Sequence, residues 1–331
     1  MKKILVVGGA GYIGSHMVLA LQDAGYSVVV FDNLSRGFAD AVVGAPLVVG
    51  DLRSAEALDA CFAAHRFDLV MHFAALAYVG ESVGEPELYY QNNVVGALNL
   101  LAAMRAHGVA RLVFSSTCAT YGEPERIPID EAHPQRPINP YGRTKLMIEQ
   151  ALADYAAAYG LHSVSLRYFN AAGGDPQGRV GERHDPETHL IPLVLAEALR
   201  LQRGGEPSAT RLQVFGTDFP TTDGSCIRDY IHVTDLCSAH LRAAEGLLSG
   251  KLAGANYLNL ANGGGFSVLE VIEACRKVTG QPVQYRICPR RAGDPAALVG
   301  DAGRAAEVLA WQPRYRQLET MIETAWTWLN R

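Results

Sequence analysis

The stretch Lys3-Ile4-Leu5-Val6-Val7-Gly8-Gly9-Ala10-Gly11-Tyr12-Ile13-Gly14 decides the fold. Its first five residues are short, mostly apolar and rich in β-branching, the pattern of a buried parallel strand. A helical period follows, with Ile13, Met17 and Leu21 set to face inward and Ala20 at the margin. Gly8, Gly11 and Gly14 lie on the turn between, and Gly9, Gly11 and Gly14 meet the spacing G-x-G-x-x-G. Glycine suits this place because the turn is tight and a pyrophosphate must approach the backbone closely. The free N–H groups of the helix then face the anion. The next predicted strand, 27–31, ends at Asp32, 24 residues after Gly8. A carboxylate there accepts from the adenosine ribose and repels a 2′-phosphate, so NAD is expected over NADP. Arg36, close by, leans the other way.

Working outward, strand patterns recur at 46–50, 68–73, 111–115 and 162–167, and helical patterns at 55–65, 87–107 and 140–159. This alternation predicts an α/β fold, a doubly wound parallel (Rossmann) sheet whose ligands sit beyond the carboxyl ends of the strands. Those ends read Gly50-Asp51-Leu52, Phe73-Ala74-Ala75, Ser115-Ser116-Thr117 and Arg167-Tyr168-Phe169-Asn170, with small residues where a flat cofactor needs room. After Asn170 the periodicity lapses, residues 203–207 read as an exposed loop, and 256–260 reads as one more buried strand. The expected division is a NAD-binding domain of 1–170 and 230–262, and a smaller, discontinuous α/β lobe of 171–229 and 263–331.

Asn139-Pro140-Tyr141-Gly142-Arg143-Thr144-Lys145 carries the chemistry. Asn139 is a good N-cap and Pro140 a good first helical residue. Tyr141 and Lys145, at i and i+4, then share one helical face. A free phenol titrates near ~10, and a base for neutral pH needs a value nearer ~7, a gap of about 4 kcal/mol. One ammonium at about 5 Å in an effective dielectric of about 20 supplies roughly 3 kcal/mol. An oxidised nicotinamide adds a second positive charge. Tyr141 is therefore the expected base and Lys145 its tuner, with Thr117 placed to hydrogen-bond the same hydroxyl. Only five of the 29 basic residues are lysines, so a lysine four residues after a tyrosine is less easily chance. Hydride chemistry at a carbon bearing a hydroxyl is implied.

The whole chain sets bounds. At 331 residues it holds a large core and a second lobe. A net charge of −5, with no basic stripe carrying aromatics, speaks against nucleic-acid binding. No apolar run is long enough for a bilayer, and the first strand begins too early for a signal peptide, so a cytoplasmic protein is expected. The six cysteines form no C-x-x-C pair and are expected to be free thiols. The ten histidines show no ligand spacing, so no metal is expected.

These residues together resemble the extended short-chain dehydrogenase/reductase family, and within it the epimerases that invert C4 of UDP-hexoses. The blocks carrying the resemblance are 8–14, 72–75, 79–82, 141–145, 167–170, Arg228-Asp229-Tyr230-Ile231-His232-Val233 and Pro289-Arg290-Arg291-Ala292-Gly293-Asp294. The resemblance implies an isomerase: Tyr141 takes the proton of the C4 hydroxyl while hydride passes to NAD, and the 4-keto sugar turns over before hydride returns. It assigns the chemistry to Thr117, Tyr141 and Lys145. The cofactor falls to Gly8, Gly11, Tyr12, Ile13, Gly14, Asp32, Asn33, Asp51, Leu52, Phe73, Ala74, Ala75, Asn92, Ser115, Tyr141, Lys145 and Tyr168. The UDP-sugar falls to Thr117, Tyr141, Phe169, Asn170, His189, Leu190, Phe215, Arg228, Tyr230, Arg291 and Asp294. It also implies a homodimer built on the helix carrying Ile148, Ala151, Leu152, Tyr155, Ala158 and Tyr159, a face that periodicity equally allows to pack on its own sheet.

Departures from the family pattern matter. Thr117 replaces a frequent serine, and Ala77 stands where some relatives carry lysine. Leu298 lies in the stretch shaping the pocket around the C2 substituent. Cys118-Ala119 follow Thr117 where 4,6-dehydratases carry Asp-Glu, so dehydration is disfavoured. Epimerases of UDP-N-acetylhexosamines, UDP-pentoses or UDP-glucuronate share the same catalytic parts and stay open, as does a net reductase. A non-catalytic dinucleotide sensor would have no need of the tyrosine–lysine pair.

Overall fold

The computed structural model describes residues 1–291 and 294–331. Ala292 and Gly293, part of the last block above, lie outside the described residues. In chain order the elements are β1 (Lys3–Val7), α1 (Tyr12–Asp23), β2 (Ser27–Asp32), β3 (Leu47–Val49), α2 (Ala55–Ala64), β4 (Leu69–His72), α3 (Val79–Gly84), α4 (Pro86–Tyr89), α5 (Gly96–Ala106), β5 (Arg111–Thr117), α6 (Pro140–Tyr159) and β6 (His162–Tyr168). Then come β7 (Asn170–Ala172), α7 (Leu190–Gln202), β8 (Gln213–Phe215), β9 (Ile227–His232), α8 (Val233–Leu248), β10 (Ala255–Leu260), β11 (Gly265–Ser267), α9 (Val268–Thr279), β12 (Arg286–Cys288), β13 (Ala297–Leu298), α10 (Gly303–Leu309) and α11 (Leu318–Leu329).

The large sheet runs β10-β6-β5-β4-β1-β2-β3, parallel throughout. The alternation of β1 feeds two cores. Ile4 and Val6 pack under α1 and α8, while Leu5 and Val7 pack under α2, α5 and α6. The chain leaves β1 in one direction along the sheet to β2 and β3, and later resumes on the other side of β1 with β4. The gap at the carboxyl ends of β1 and β4 is therefore the topological switch point, where ligands bind in such sheets.

Four short strands make a second sheet, in which β9 pairs with β7, β11 and β13. A third core, under α7, α9 and α11, closes it. β9 straddles the expected boundary at 230: it lies in the small sheet, whereas α8 packs on α1 and β10 joins the large sheet.

Two sequence expectations need correction. The predicted helix over 87–107 is interrupted: α4 passes into a π-helical turn over 90–95 before α5. The face expected to pair two subunits is divided. Ile148 and Leu152 are buried against the chain's own sheet, while Met147 and Tyr159 point outward.

Candidate active site

The turn after β1 is shaped by missing side chains. Gly8 has a φ of +83°, and a Cβ there would run into the Ala74 backbone. A Cβ on Gly14 would strike the Gly8 carbonyl, so α1 lies close on β1. Gly11 is the N-cap of α1 and meets only the Gly8 oxygen, at 3.5 Å. No side chain caps this helix and no acid sits in its first turn, so its amides are free for an anion. Tyr12 is buried and donates to the Gly173 carbonyl at 2.6 Å; Ile13 packs against the core.

At the end of β2, Asp32 accepts from the amides of Ala10 (3.0 Å) and Leu34 (2.8 Å). Burial pushes its carboxyl up, with those two amides pulling back. Asn33 donates to Asp51 at 3.0 Å, and the Arg53 guanidinium holds the Asp51 carboxyl well below the usual range. Leu52 is buried beside Gly96. Phe73 lies against His240, and the Ala74 amide reaches the Val7 carbonyl; Ala75 is partly buried behind it. Free helical amides, a glycine cradle and two carboxylates at the neighbouring strand ends fit a dinucleotide.

Tyr141, Lys145 and Thr117 are all buried, and they meet at the end of β5. The Asn139 side chain accepts from the Gly142 amide at 2.8 Å, starting α6 as the sequence predicts. The Lys145 ammonium donates to the Ser115 carbonyl at 2.8 Å and lies 5.9 Å from the centre of the Tyr141 ring. The Ser115 hydroxyl is 2.6 Å from the Tyr168 hydroxyl. Thr117 turns its hydroxyl to the Ala119 amide at 3.1 Å and also favours the ionised form of Tyr141.

In the chain alone, burial works against both partners of the pair. Burial pushes the Tyr141 phenol well above its ordinary value, with Tyr168 adding to the rise. The same burial pulls Lys145 down to about 7, and Glu149 restores part of that loss. Desolvation, which a sequence does not reveal, is the largest influence on both groups.

The far side of the cleft gathers the predicted substrate residues in two groups. Arg228 and Arg291 both reach Asp294, at 3.5 and 3.2 Å, and Arg291 lies over the Phe215 ring at 4.5 Å. Arg228 also donates to the carbonyls of Ile227 and Pro295. Asn170 pairs with Tyr230 across β7 and β9. Tyr230 is buried in the third core with Leu190 beside it, and Phe169 packs with Tyr121 and Leu298. His189 stands apart from the arginines, in a cluster the sequence spacing does not show. Glu182, His184, Glu187 and His189 bring donor atoms within 4.8 Å of one another. Glu182 bonds His184 at 3.2 Å and His189 at 3.1 Å, and Glu187 bonds His189 at 2.9 Å. Burial alone would lower the His189 imidazole, but the two carboxylates raise it to about 10. This segment crosses the cofactor turn, where Arg36 donates to the Asp185 carbonyl and Tyr78 to that of Pro186.

Asn92 was expected at the cofactor, and the structure ties it to Asn93 at 2.9 Å. The sequence pattern does not single out Asn93. It bonds both the amide and the carbonyl of Leu76, and reaches Thr144 of α6 at 3.1 Å. No sequence signal marks it, since the π-helical turn that aims it, a feature found often at functional sites, lies within a regular helical pattern.

Comparison with known proteins agrees with this geometry. Residues 4–254 match the model of the NAD dependent epimerase/dehydratase family. The chain is 54% identical over 325 residues to the UDP-glucose 4-epimerase of Halalkalibacterium halodurans, covering 98% of this chain and 95% of that one. The crystal structure of UDP-glucose 4-epimerase from Brucella ovis in complex with NAD superposes with a TM-score of 0.92 at 49% identity, covering 99% of this chain and 98% of that one. The enzyme from Bifidobacterium longum, in complex with NAD+ and UDP, gives 0.91 at 37%, with the same coverage. With its cofactor turn, its buried tyrosine–lysine pair and relatives that match from end to end, this chain belongs to the NAD dependent epimerase/dehydratase family.

Proposed function

We propose that the protein is an isomerase that inverts C4 of a UDP-hexose, interconverting UDP-glucose and UDP-galactose with NAD as its cofactor. The observation that carries this reading is the buried meeting of Tyr141, Lys145 and Thr117 at the end of β5, two strands along the sheet from β1 and its glycine turn. NAD, when bound, supplies the hydride acceptor and donor for the sugar C4 and a positive charge beside the phenol.

The chain supplies the proton chemistry and the grip. Tyr141 takes the proton of the C4 hydroxyl as the carbonyl forms, and returns it as the carbonyl is reduced. Lys145, held on the Ser115 carbonyl, stabilises in its charged form the phenolate that this requires. Thr117 hydrogen-bonds the same sugar oxygen. The residues around the glycine turn, with Asp32, Asn33, Asp51 and Leu52, take the adenosine end. Phe73, Ala74, Ala75, Asn92, Ser115 and Tyr168 line the nicotinamide end. Arg228 and Arg291, paired with Asp294, suit a diphosphate that replaces one charge partner with another. Phe169, Asn170, Leu190, Phe215 and Tyr230 surround the nucleotide, while His189 stays with Glu182 and Glu187, apart from the arginines. An anchor on the nucleotide leaves the 4-keto hexose free to present its other face. The division into a cofactor domain and a nucleotide-sugar lobe follows this split.

The protein acts as a homodimer. Leu88, Val95 and Leu98 on α4, the π-turn and α5, with Met147 and Tyr159 on α6, leave apolar side chains exposed on adjoining helices. Arg105 lies over the Tyr159 ring at 4.2 Å, joining α5 and α6 into one surface. Its working compartment is the cytoplasm, which suits six free thiols. No described helix is long and apolar enough to cross a membrane.

The test is incubation of the purified protein with UDP-galactose and a panel of other UDP-sugars, with products read by NMR. UDP-glucose forming without net NADH is expected. Bound NAD with every sugar unchanged would sink the reading in favour of a non-catalytic dinucleotide binder.

A further inference from the structure

Helix α6 carries Tyr141, Lys145 and Glu149 at four-residue intervals, on one face. Glu149 is 2% exposed and its carboxylate is fully engaged. It accepts from Ser116 Oγ at 2.6 Å, from Arg167 Nε at 3.0 Å and Nη2 at 2.6 Å, and from Gln135 at 3.2 Å. Ser116 stands in β5 between Ser115, whose carbonyl holds Lys145, and Thr117. Two rungs therefore join α6 to β5, Lys145 to Ser115 and Glu149 to Ser116, one helical turn apart. Arg167 extends the lattice to Tyr121 at 2.9 Å, which donates to Asn259 at 2.7 Å.

We infer that Glu149 is a positioning residue for the catalytic pair: by holding Ser116 and Arg167 it sets α6 against β5, and its charge, one turn below, favours the Lys145 ammonium. A buried ion pair is weak evidence for stability alone, since well-packed apolar residues often serve as well or better. What an apolar pair lacks is an anion beside the lysine. The titratable groups facing Lys145 are Tyr141 and Glu149 from its own helix and His72 from β4, while Tyr168 from β6 acts on Tyr141. Burial, reinforced by Lys145, holds His72 down at about 3, so it is neutral and brings no charge. Glu149 is the one that favours the charged lysine. Around the carboxylate stand Arg167 from β6, Tyr121, and Tyr257 from β10, whose hydroxyl reaches the Glu149 carbonyl. The guanidinium offsets part of the carboxylate's field, and the remainder acts on Lys145.

This inference rests on the epimerase reading, and one assay separates the two. Turnover of UDP-galactose by the parent and by Glu149→Gln is measured across pH. A parent without turnover fails the epimerase reading. With an active parent, Glu149→Gln is expected to lose the alkaline limb of kcat about one pH unit lower, because the uncompensated lysine sheds its proton sooner. The rise of melting temperature with pH should start correspondingly earlier, a readout independent of turnover. A lower melting temperature with both pH profiles unmoved would reduce Glu149 to scaffolding and overturn the inference. If Glu149→Gln does not fold, Ser116→Ala decides. It keeps the carboxylate and removes the rung, and should lower kcat about tenfold at unchanged KM; kcat at the parent level would overturn the inference.

Discussion

Lys145 stands one helical turn past Tyr141 with its ammonium 5.9 Å from the centre of the phenol ring, and burial works against both. Alone, the protein raises the phenol and lowers the lysine. The base is therefore not pre-armed by its neighbour. On the proposed reading, the positive charge of the oxidised cofactor is expected to complete the activation of Tyr141.

Tyr141→Phe removes the hydroxyl and leaves the ring in its buried seat. Turnover should fall by about three orders of magnitude while co-purified NAD is retained. Activity near the parent level would mean that another group takes the proton.

Lys145→Met tests the lysine through stability as well as rate. The folded lysine titrates at about 7 and an unfolded one at its ordinary value of 10.5. Between those values the unfolded chain binds more protons, so Lys145 makes stability rise with pH, and below about 7 its buried charge is a full cost. The variant should gain stability near pH 6 and lack that rise up to about pH 10. Parallel melting curves for variant and parent would refute the low value.

Gly8→Ala places a Cβ against the Ala74 backbone at a φ of +83°. Strain of about 1–2 kcal/mol from the backbone alone is expected, with collision added. The melting temperature should drop and NAD should no longer co-purify. A variant that keeps both would mean that the turn has slack the structure does not show.

Leu98→Glu puts a charge on an exposed apolar position of α5. Sedimentation at micromolar concentration should change from dimer to monomer, with the secondary structure intact. A parent already monomeric at that concentration would remove the proposed assembly.

Much of this was legible in the chain because it is local. The glycine turn, Asp32 at the end of β2, and Asn139 capping the helix of Tyr141 and Lys145 all follow from short-range geometry. What escaped depends on long-range packing. Asn93 is aimed by a π-helical turn that a regular helical period hides. Glu182 and His189 meet only because an aperiodic segment folds back on itself. Arg167 stands at a strand end in the sequence, and its partner Glu149 lies 18 residues away. The burial of Tyr141 is hidden for the same reason, because the water excluded by the fold depends on contacts far apart in the chain.

The segment from Gly173 to His189 pins itself over the dinucleotide turn through Tyr12, Arg36 and Tyr78. Freeing that rim means breaking several neutral and charged hydrogen bonds together. The opposite rim, where Arg228 and Arg291 share Asp294, is held by charges that an arriving diphosphate can satisfy in turn. On the proposed reading, exchange is expected to be one-sided: the sugar nucleotide would come and go past the arginines while the redox partner stays shut in.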